Sequence, residues 1–157
     1  MELPQRKPNR LPGYHYGQQG CYFVTVCAKD KQKLFGAIST DREEVVRLSS
    51  CGKLVDDVLK QMQQQNSLVT LENYCIMPNH VHLLLRCTRD VTVTQPANAP
   101  IPQYVGTMKR LVNRRAGENL WQRSYHDHVV RNEPDYNRIW EYIETNPLRW
   151  TLDCYYV

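Results

Sequence analysis

Two histidines separated by a single residue lie within the apolar run YCIMPNHVHLLL at positions 74–85. Residues i and i+2 of a β-strand point to the same face, so His80 and His82 would lie side by side with their Cα atoms about 6.5 Å apart. Imidazole nitrogens at that spacing can bind one metal ion together, and a catalytic site would also need a third ligand and an open position. Both residues could equally be hydrogen-bonded histidines of the core, and the spacing alone leaves the two interpretations open.

The elements around the pair are predicted to form an antiparallel sheet with helices on one face. Alternating patterns rich in β-branched and aromatic residues predict strands over 21–28, 34–38, 45–48, 68–77 and 80–87, and a strand or extended segment over 121–130. We expect the second strand to return as the hairpin partner of the first. A helix capped by Ser49 or Ser50 is predicted through GKLVDDVLKQMQQQ, with further helices over 101–115 and 134–146. This pattern indicates one α+β domain over residues 1–157, in which residues 1–19 form an extended arm.

Length and composition exclude several classes of protein. The chain has 157 residues, and no apolar stretch reaches the roughly 18 residues that a membrane helix needs. The first residues, MELPQRKPNRLPGY, lack the apolar core of a signal peptide, so we expect a cytoplasmic protein. No CxxC pair occurs among the six cysteines, which are therefore predicted to be reduced and mostly buried thiols. They are Cys21, Cys27, Cys51, Cys75, Cys87 and Cys154.

Positive charge is concentrated in two segments, although the net charge is only +4. The first segment is the N-terminal arm, and the second is MKRLVNRR at 108–115 within a predicted helix. Either one alone is typical of a loose tail or a solvated helix face, but two in one small domain favour a nucleic-acid partner. The candidate DNA-binding residues are Arg6, Lys7, Arg10, Lys109, Arg110, Arg114 and Arg115.

The histidine pair and its neighbours also carry a family resemblance. MPNHVHLL resembles the histidine-hydrophobic-histidine signature of the HUH nucleases. In its wider sequence the chain resembles the REP-associated tyrosine transposases, which are relatives of the single-tyrosine, IS200-like HUH transposases. The resemblance implies a ferredoxin-like sheet and covers nearly the whole chain. It is carried by RLPGYHY at 10–16, CYFVTVC at 21–27, NYCIMPNHVHLLL at 73–85, WQRSYHDHVVRNE at 121–133 and YIETNPLRW at 142–150.

The resemblance implies a tyrosine nucleophile on a helix that faces the histidines. Tyr142 occupies the tyrosine position of the family's YIxxNP motif, and Tyr136 is the second candidate. Asn146 follows Tyr142 by four residues, on the same helical face, and matches a glutamine that relatives use as a third metal ligand. The implied metal site is therefore His80, His82 and Asn146 with Mg²⁺ or Mn²⁺. Without the resemblance, Tyr142 would be read as a helix-face aromatic packed on the sheet.

The implied reaction is cleavage and strand transfer of single-stranded DNA at hairpin, REP-like palindromes through a 5′-phosphotyrosine intermediate, by a monomer or a homodimer. One alternative is a domesticated protein that binds a DNA or RNA hairpin without cutting it. Another is a nucleotide hydrolase with a histidine nucleophile, but such enzymes carry a longer run of alternating histidines, and Leu84 interrupts the run here. Covalent attachment of DNA to the protein separates the tyrosine mechanism from both alternatives.

Overall fold

The computed structural model describes residues 17–38 and 46–147. Within them, the strands are β1 (Gly20–Cys27), β2 (Gly36–Ile38), β3 (Val46–Leu48), β4 (Val69–Met77), β5 (His80–Cys87) and β6 (His126–Val129). The α-helices are α1 (Ser50–Gln65), α2 (Pro100–Ala116) and α3 (Glu133–Thr145), and short 3₁₀ turns occur at Lys29–Lys31 and Pro96–Asn98. The predicted α+β class with an antiparallel sheet is confirmed.

Four strands form the main sheet in the order β4-β5-β1-β6, with every neighbouring pair antiparallel. The prediction that 34–38 pairs with the first strand is wrong, because β2 pairs with β3 in a separate two-stranded sheet. Both edges of β1 are already taken, one by β5 and the other by β6, so no edge of β1 is open to a further strand. The histidine-bearing strand, β5, is interior to the sheet, between β4 and β1.

The helices divide between the two faces of the sheet. The main core lies between α1, α2 and one face, to which Val81, Leu83 and Leu85 of β5 contribute. Strand alternation directs the intervening residues of β5, including His80 and His82, to the other face. The prediction that the helices pack on one face is therefore correct for α1 and α2, whereas α3 lies on the face that carries the histidines.

The third helix makes a small apolar contact with the sheet. It is capped by Asn132, whose side chain accepts a hydrogen bond from the Asp135 amide. Ile139 and Ile143 are buried in a second cluster with Cys21 and Leu84, on the face opposite the main core. This contact brings the C-terminal half of α3 over the central strands.

Several sequence predictions can be compared with the described residues only in part. The five cysteines there are free thiols, as predicted, and three of them are buried. Cys154 and the arm residues Arg6, Lys7 and Arg10 lie outside the described residues. No helix in the described part of the chain is long and apolar enough to cross a membrane.

Candidate active site

His80 and His82 face one another on the α3 side of β5. Both are buried, with side chains at most 1% exposed, and their ring centroids are 4.4 Å apart. The two Nε2 atoms lie only 2.9 Å from each other. The i, i+2 spacing therefore directs the same nitrogen of each ring to one point in space, which is the arrangement that two ligands of a single ion require.

The other nitrogen of each ring is held by a neighbouring side chain. Nδ1 of His80 lies 2.7 Å from Asn79 Oδ1, and Nδ1 of His82 lies 2.9 Å from Thr25 Oγ1 on β1. Asn79 directs its Nδ2 towards the Lys31 carbonyl at 3.5 Å. The backbone carbonyl of Asn79 accepts from the Ala28 amide at 2.8 Å. Because an amide oxygen can only accept, Nδ1 of His80 carries the proton and its Nε2 presents a lone pair. Across the 2.9 Å contact His80 Nε2 then accepts from His82 Nε2–H, and the Thr25 hydroxyl donates to Nδ1 of His82. Because this hydroxyl can also accept, His82 can move its proton to Nδ1 and present an Nε2 lone pair to a cation.

Tyr142 lies against this pair from α3. Its ring centroid is 5.3 Å from that of His82, in an edge-on orientation, and 6.0 Å from that of Phe23. Phe23 in turn stacks on the His82 ring, with a centroid distance of 5.2 Å. The helix and the strand together place a phenol beside the imidazole of His82.

Asn146, one turn after Tyr142, has a buried carboxamide that the described residues leave unsatisfied. The residue is 1% exposed, and neither Oδ1 nor Nδ2 has a hydrogen-bond partner among residues 17–38 and 46–147. A buried polar group without a partner costs about 1–3 kcal/mol, so such groups in native proteins call for an explanation such as a ligand or an ion.

The donor set fits a divalent cation. Within the described ranges, no group of three His, Cys, Asp or Glu side chains is placed to bind a metal, so a third ligand from these ranges would be of another type. An amide oxygen such as Asn146 Oδ1 is a hard, neutral donor. Together with the imidazoles of His80 and His82 it is compatible with Mn²⁺ and, less favourably on ligand grounds, with Mg²⁺.

The second tyrosine of α3 has a different environment. The Tyr136 hydroxyl donates to Glu72 Oε2 at 2.6 Å, and Arg86 lies over its ring, 5.9 Å from the centroid. Burial and the Glu72 carboxylate raise the pKa of Tyr136 to about 12. The raised pKa disfavours the phenolate of Tyr136, whereas Tyr142 contacts His82, so the geometry favours Tyr142 over Tyr136.

Comparison with known proteins identifies the family. The model of the family described as "Transposase IS200 like" matches residues 22–146, a range that contains the histidine pair, Tyr142 and Asn146. The chain belongs to the IS200-like transposase family. Membership makes this protein a DNA-processing enzyme of the transposase type.

Individual relatives match this chain over most of its length. An uncharacterized protein from Haemophilus influenzae is 30% identical over an alignment of 174 positions, gaps included, which spans 99% of this transposase and 95% of the relative. Among solved structures, a REP-associated tyrosine transposase bound to a REP hairpin matches with a TM-score of 0.65 at 17% identity, over 96% of this chain and 74% of the other. A Deinococcus radiodurans protein described as a transposase is 24% identical over 87% of this chain and 95% of its own, with a TM-score of 0.49.

The basic segment of this transposase lies away from the histidines. It belongs to α2, which packs on the opposite face of the sheet. Lys109 is engaged within the fold, since its Nζ donates to the carbonyls of Gln122 at 3.0 Å and Ser124 at 2.7 Å. The arginines of the segment, Arg110, Arg114 and Arg115, are exposed, although Arg115 contacts Gln61 of α1 and Arg110 lies 3.3 Å from the Thr107 hydroxyl.

Two supporting residues of the site were not predicted as such. Asn79 adjoins His80 in the sequence, so its polar side chain could have indicated that it supports the histidine. Thr25 is 57 positions from His82 and reaches it only because β1 and β5 pair in the register that sets these two residues opposite each other. The sequence carries no local sign of that register.

Proposed function

We propose that the protein is a metal-dependent single-stranded DNA endonuclease and strand transferase, which acts at hairpin, REP-like sequences through a 5′-phosphotyrosine intermediate. The observation that carries the proposal is the position of Tyr142, whose ring lies 5.3 Å from that of His82. His82 is one of the two histidines whose Nε2 atoms face each other. The buried, unsatisfied amide of Asn146 one turn further along α3 supports it.

The proposed ligands of the cation are Nε2 of His80, Nε2 of His82 and Oδ1 of Asn146. When bound, Mg²⁺ or Mn²⁺ would polarise a phosphodiester oxygen and stabilise the negative charge that develops on the phosphate. Asn79 and Thr25 hold the Nδ1 atoms and thereby fix the ring orientations before any ligand binds. Loss of either supporting side chain should weaken the site without removing a ligand.

Tyr142 is the proposed nucleophile. Its Oη forms a bond to phosphorus while the bond from phosphorus to the 3′ oxygen breaks, which leaves a 5′-phosphotyrosine and a free 3′-OH. The phenol loses its proton in this step, to a base or to water. The phosphotyrosine link retains the energy of the phosphodiester, so a second 3′-OH can attack it and complete strand transfer without ATP. Attack in line requires an accessible backbone, which favours a single-stranded target.

The proposed target combines a hairpin with a single strand to be cut. The solved structure with the same fold is bound to a REP hairpin, and this supports a hairpin substrate for the present chain. The exposed Arg110, Arg114 and Arg115 lie on the face opposite the histidines, where they could contact the phosphates of a stem. Lys109 is a weaker candidate than the arginines because its ammonium already binds two backbone carbonyls. For the arm residues Arg6, Lys7 and Arg10 we keep the prediction that they contact DNA near the cleavage site.

A labelled oligonucleotide tests the proposal. Dye-labelled DNA hairpins with a single-stranded flank are incubated with the protein and Mg²⁺ or Mn²⁺, and the products are separated under denaturing conditions. We expect a covalent protein–DNA adduct in which mass spectrometry places the nucleotide on Tyr142. Tight binding of the hairpin without cleavage or adduct, with both metals, would identify a non-catalytic hairpin-binding protein instead.

A further inference from the structure

The edge strand β4 contains an irregularity opposite α3. Leu71 pairs with Leu85 and Asn73 pairs with Leu84, so Glu72 is an extra residue between two consecutive pairs. A bulge of this kind lets two successive side chains emerge on the same face of a sheet. Leu71 packs in the main core beneath α1 and α2, whereas Glu72 and Asn73 both contact α3 on the opposite face.

Each of the two bulge residues binds a different part of α3. Glu72 Oε2 accepts a hydrogen bond from the Tyr136 hydroxyl at 2.6 Å, and Asn73 Nδ2 donates to Glu144 Oε1 at 2.9 Å. Tyr136 and Glu144 are eight positions apart in the helix, a distance of about 12 Å along the axis. Tyr142 lies between these two positions in the helix. Contacts at two separated points restrict both sliding of the helix and its rotation about its own axis.

We propose that these two contacts form a latch that positions α3 so that Tyr142 faces His82. This β4 latch consists of Glu72, Asn73, Tyr136 and Glu144. The inference rests on the proposed role of Tyr142 as nucleophile. The latch residues are positioning residues, because they act on the reaction through the placement of α3.

The apolar contact of α3 is small, and His128 of β6 holds only its first turn, at 2.8 Å from Asp135 Oδ2. Only Ile139 and Ile143 of the helix are buried, and Trp140 between them is 39% exposed. The Glu72 carboxylate is itself fixed, since its Oε1 accepts from Nε of Arg86 on the neighbouring strand. A carboxylate held on both oxygens gives Tyr136 a rigid partner. A nucleophile that shifts by about 1 Å can lose roughly a hundredfold in rate, so the small apolar contact makes the polar one important for cleavage.

The same strand supplies a matched control. Tyr74, two residues after Glu72, donates its hydroxyl to Asp56 Oδ1 on α1 at 2.5 Å. This bond joins a phenol to a carboxylate as the Tyr136–Glu72 bond does, but it lies on the opposite face and does not involve α3. Tyr74→Phe therefore removes a comparable interaction from the fold and leaves the latch intact.

The experiment compares Tyr136→Phe, Asn73→Ala and Tyr74→Phe in the full chain. Single-turnover cleavage of the hairpin oligonucleotide is measured with protein in excess, alongside its dissociation constant and the thermal stability of each variant. We expect Tyr136→Phe and Asn73→Ala each to slow cleavage by about tenfold or more with DNA affinity changed by less than about twofold, and the adduct to remain on Tyr142. Tyr74→Phe should lose similar stability and cleave at the wild-type rate. Glu72→Gln, which keeps an acceptor for the phenol, should retain more of the rate than Tyr136→Phe.

Hydrogen exchange of the α3 amides, recorded without DNA or metal, tests the latch independently of cleavage. Faster exchange in α3 but not in α1 of Tyr136→Phe supports the latch even if the wild-type protein cuts no oligonucleotide, a result that would count against the proposed function only. Unchanged α3 exchange in both Tyr136→Phe and Asn73→Ala would overturn the latch. Equal cleavage rates in Tyr136→Phe and Tyr74→Phe, with an active wild-type protein, would overturn it as well and leave the proposed function standing.

Discussion

The buried amide of Asn146 leads to a prediction about stability as well as activity. Its oxygen and nitrogen have no hydrogen-bond partner within the described residues, and the side chain is 1% exposed. Leaving such a group unsatisfied costs about 1–3 kcal/mol, and an apolar side chain of similar size avoids that cost. In the presence of EDTA, Asn146→Leu should therefore unfold with a free energy about 1–3 kcal/mol higher than that of the wild-type protein.

A divalent cation should offset most or all of this difference. If Asn146 is a ligand, Mn²⁺ at a hundred times its dissociation constant stabilises the wild-type protein by about 2.7 kcal/mol, and a variant without the third ligand gains much less. Urea denaturation with EDTA and with Mn²⁺ measures both effects, and a cleavage assay on the same samples should show activity in the wild type only. The substitution is thus expected to stabilise the metal-free protein while it removes function.

Asn137→Leu is the matched control, because Asn137 lies on the same helix but is exposed. It should leave both the free energy of unfolding and its response to Mn²⁺ near the wild-type values. The reasoning would be refuted if Asn146→Leu were less stable than the wild type in EDTA and gained the same stabilisation from Mn²⁺. Asn146 would then be an ordinary buried residue whose amide the fold needs.

Three further predictions concern the histidine pair, the proposed nucleophile Tyr142 and the basic helix α2. His80→Ala and His82→Ala should each abolish cleavage and leave hairpin binding largely intact in a gel-shift assay; wild-type cleavage in both variants would exclude the site. Tyr142→Phe deletes one oxygen, so it should fold normally and form no adduct in denaturing gels, and persistence of the adduct would show that another residue attacks. Replacing Arg114 and Arg115 by Gln should reduce the slope of log affinity against log salt by up to about 0.9 for each lost phosphate contact. A slope equal to that of the wild type would show that these two arginines are solvated and contact no phosphate.

Local spacing accounts for the features that the sequence predicted correctly. A period of two residues determines which side chains share a strand face, so the common face of His80 and His82 follows from HVH alone. The helix cap at Ser49 and the i, i+4 relation of Tyr142 to Asn146 also follow from residues close together in the sequence. The prediction of Tyr142 as the nucleophile depends on a family motif, since spacing alone does not separate it from Tyr136.

Contacts between distant segments are the part that only the tertiary structure decided. Pairing of β2 with β3, instead of with β1, depends on β5 and β6 occupying both edges of β1. The placement of α3 on the face opposite α1 and α2 likewise depends on the whole sheet, because each helix is amphipathic and its pattern does not say which face it covers.

The sequence by itself determined a pair of histidines on one strand face, a tyrosine and an amide one helical turn apart, and an α+β order of elements. The tertiary structure brought these local pieces within 5.3 Å, measured between the rings of Tyr142 and His82. It also supplied the Thr25 hydroxyl that holds His82 and the bulge that directs Glu72 towards α3. The physical reason is that strand register and bulges are set by packing between segments far apart in the chain, whereas side-chain direction within one strand or helix is set by the backbone of that element alone.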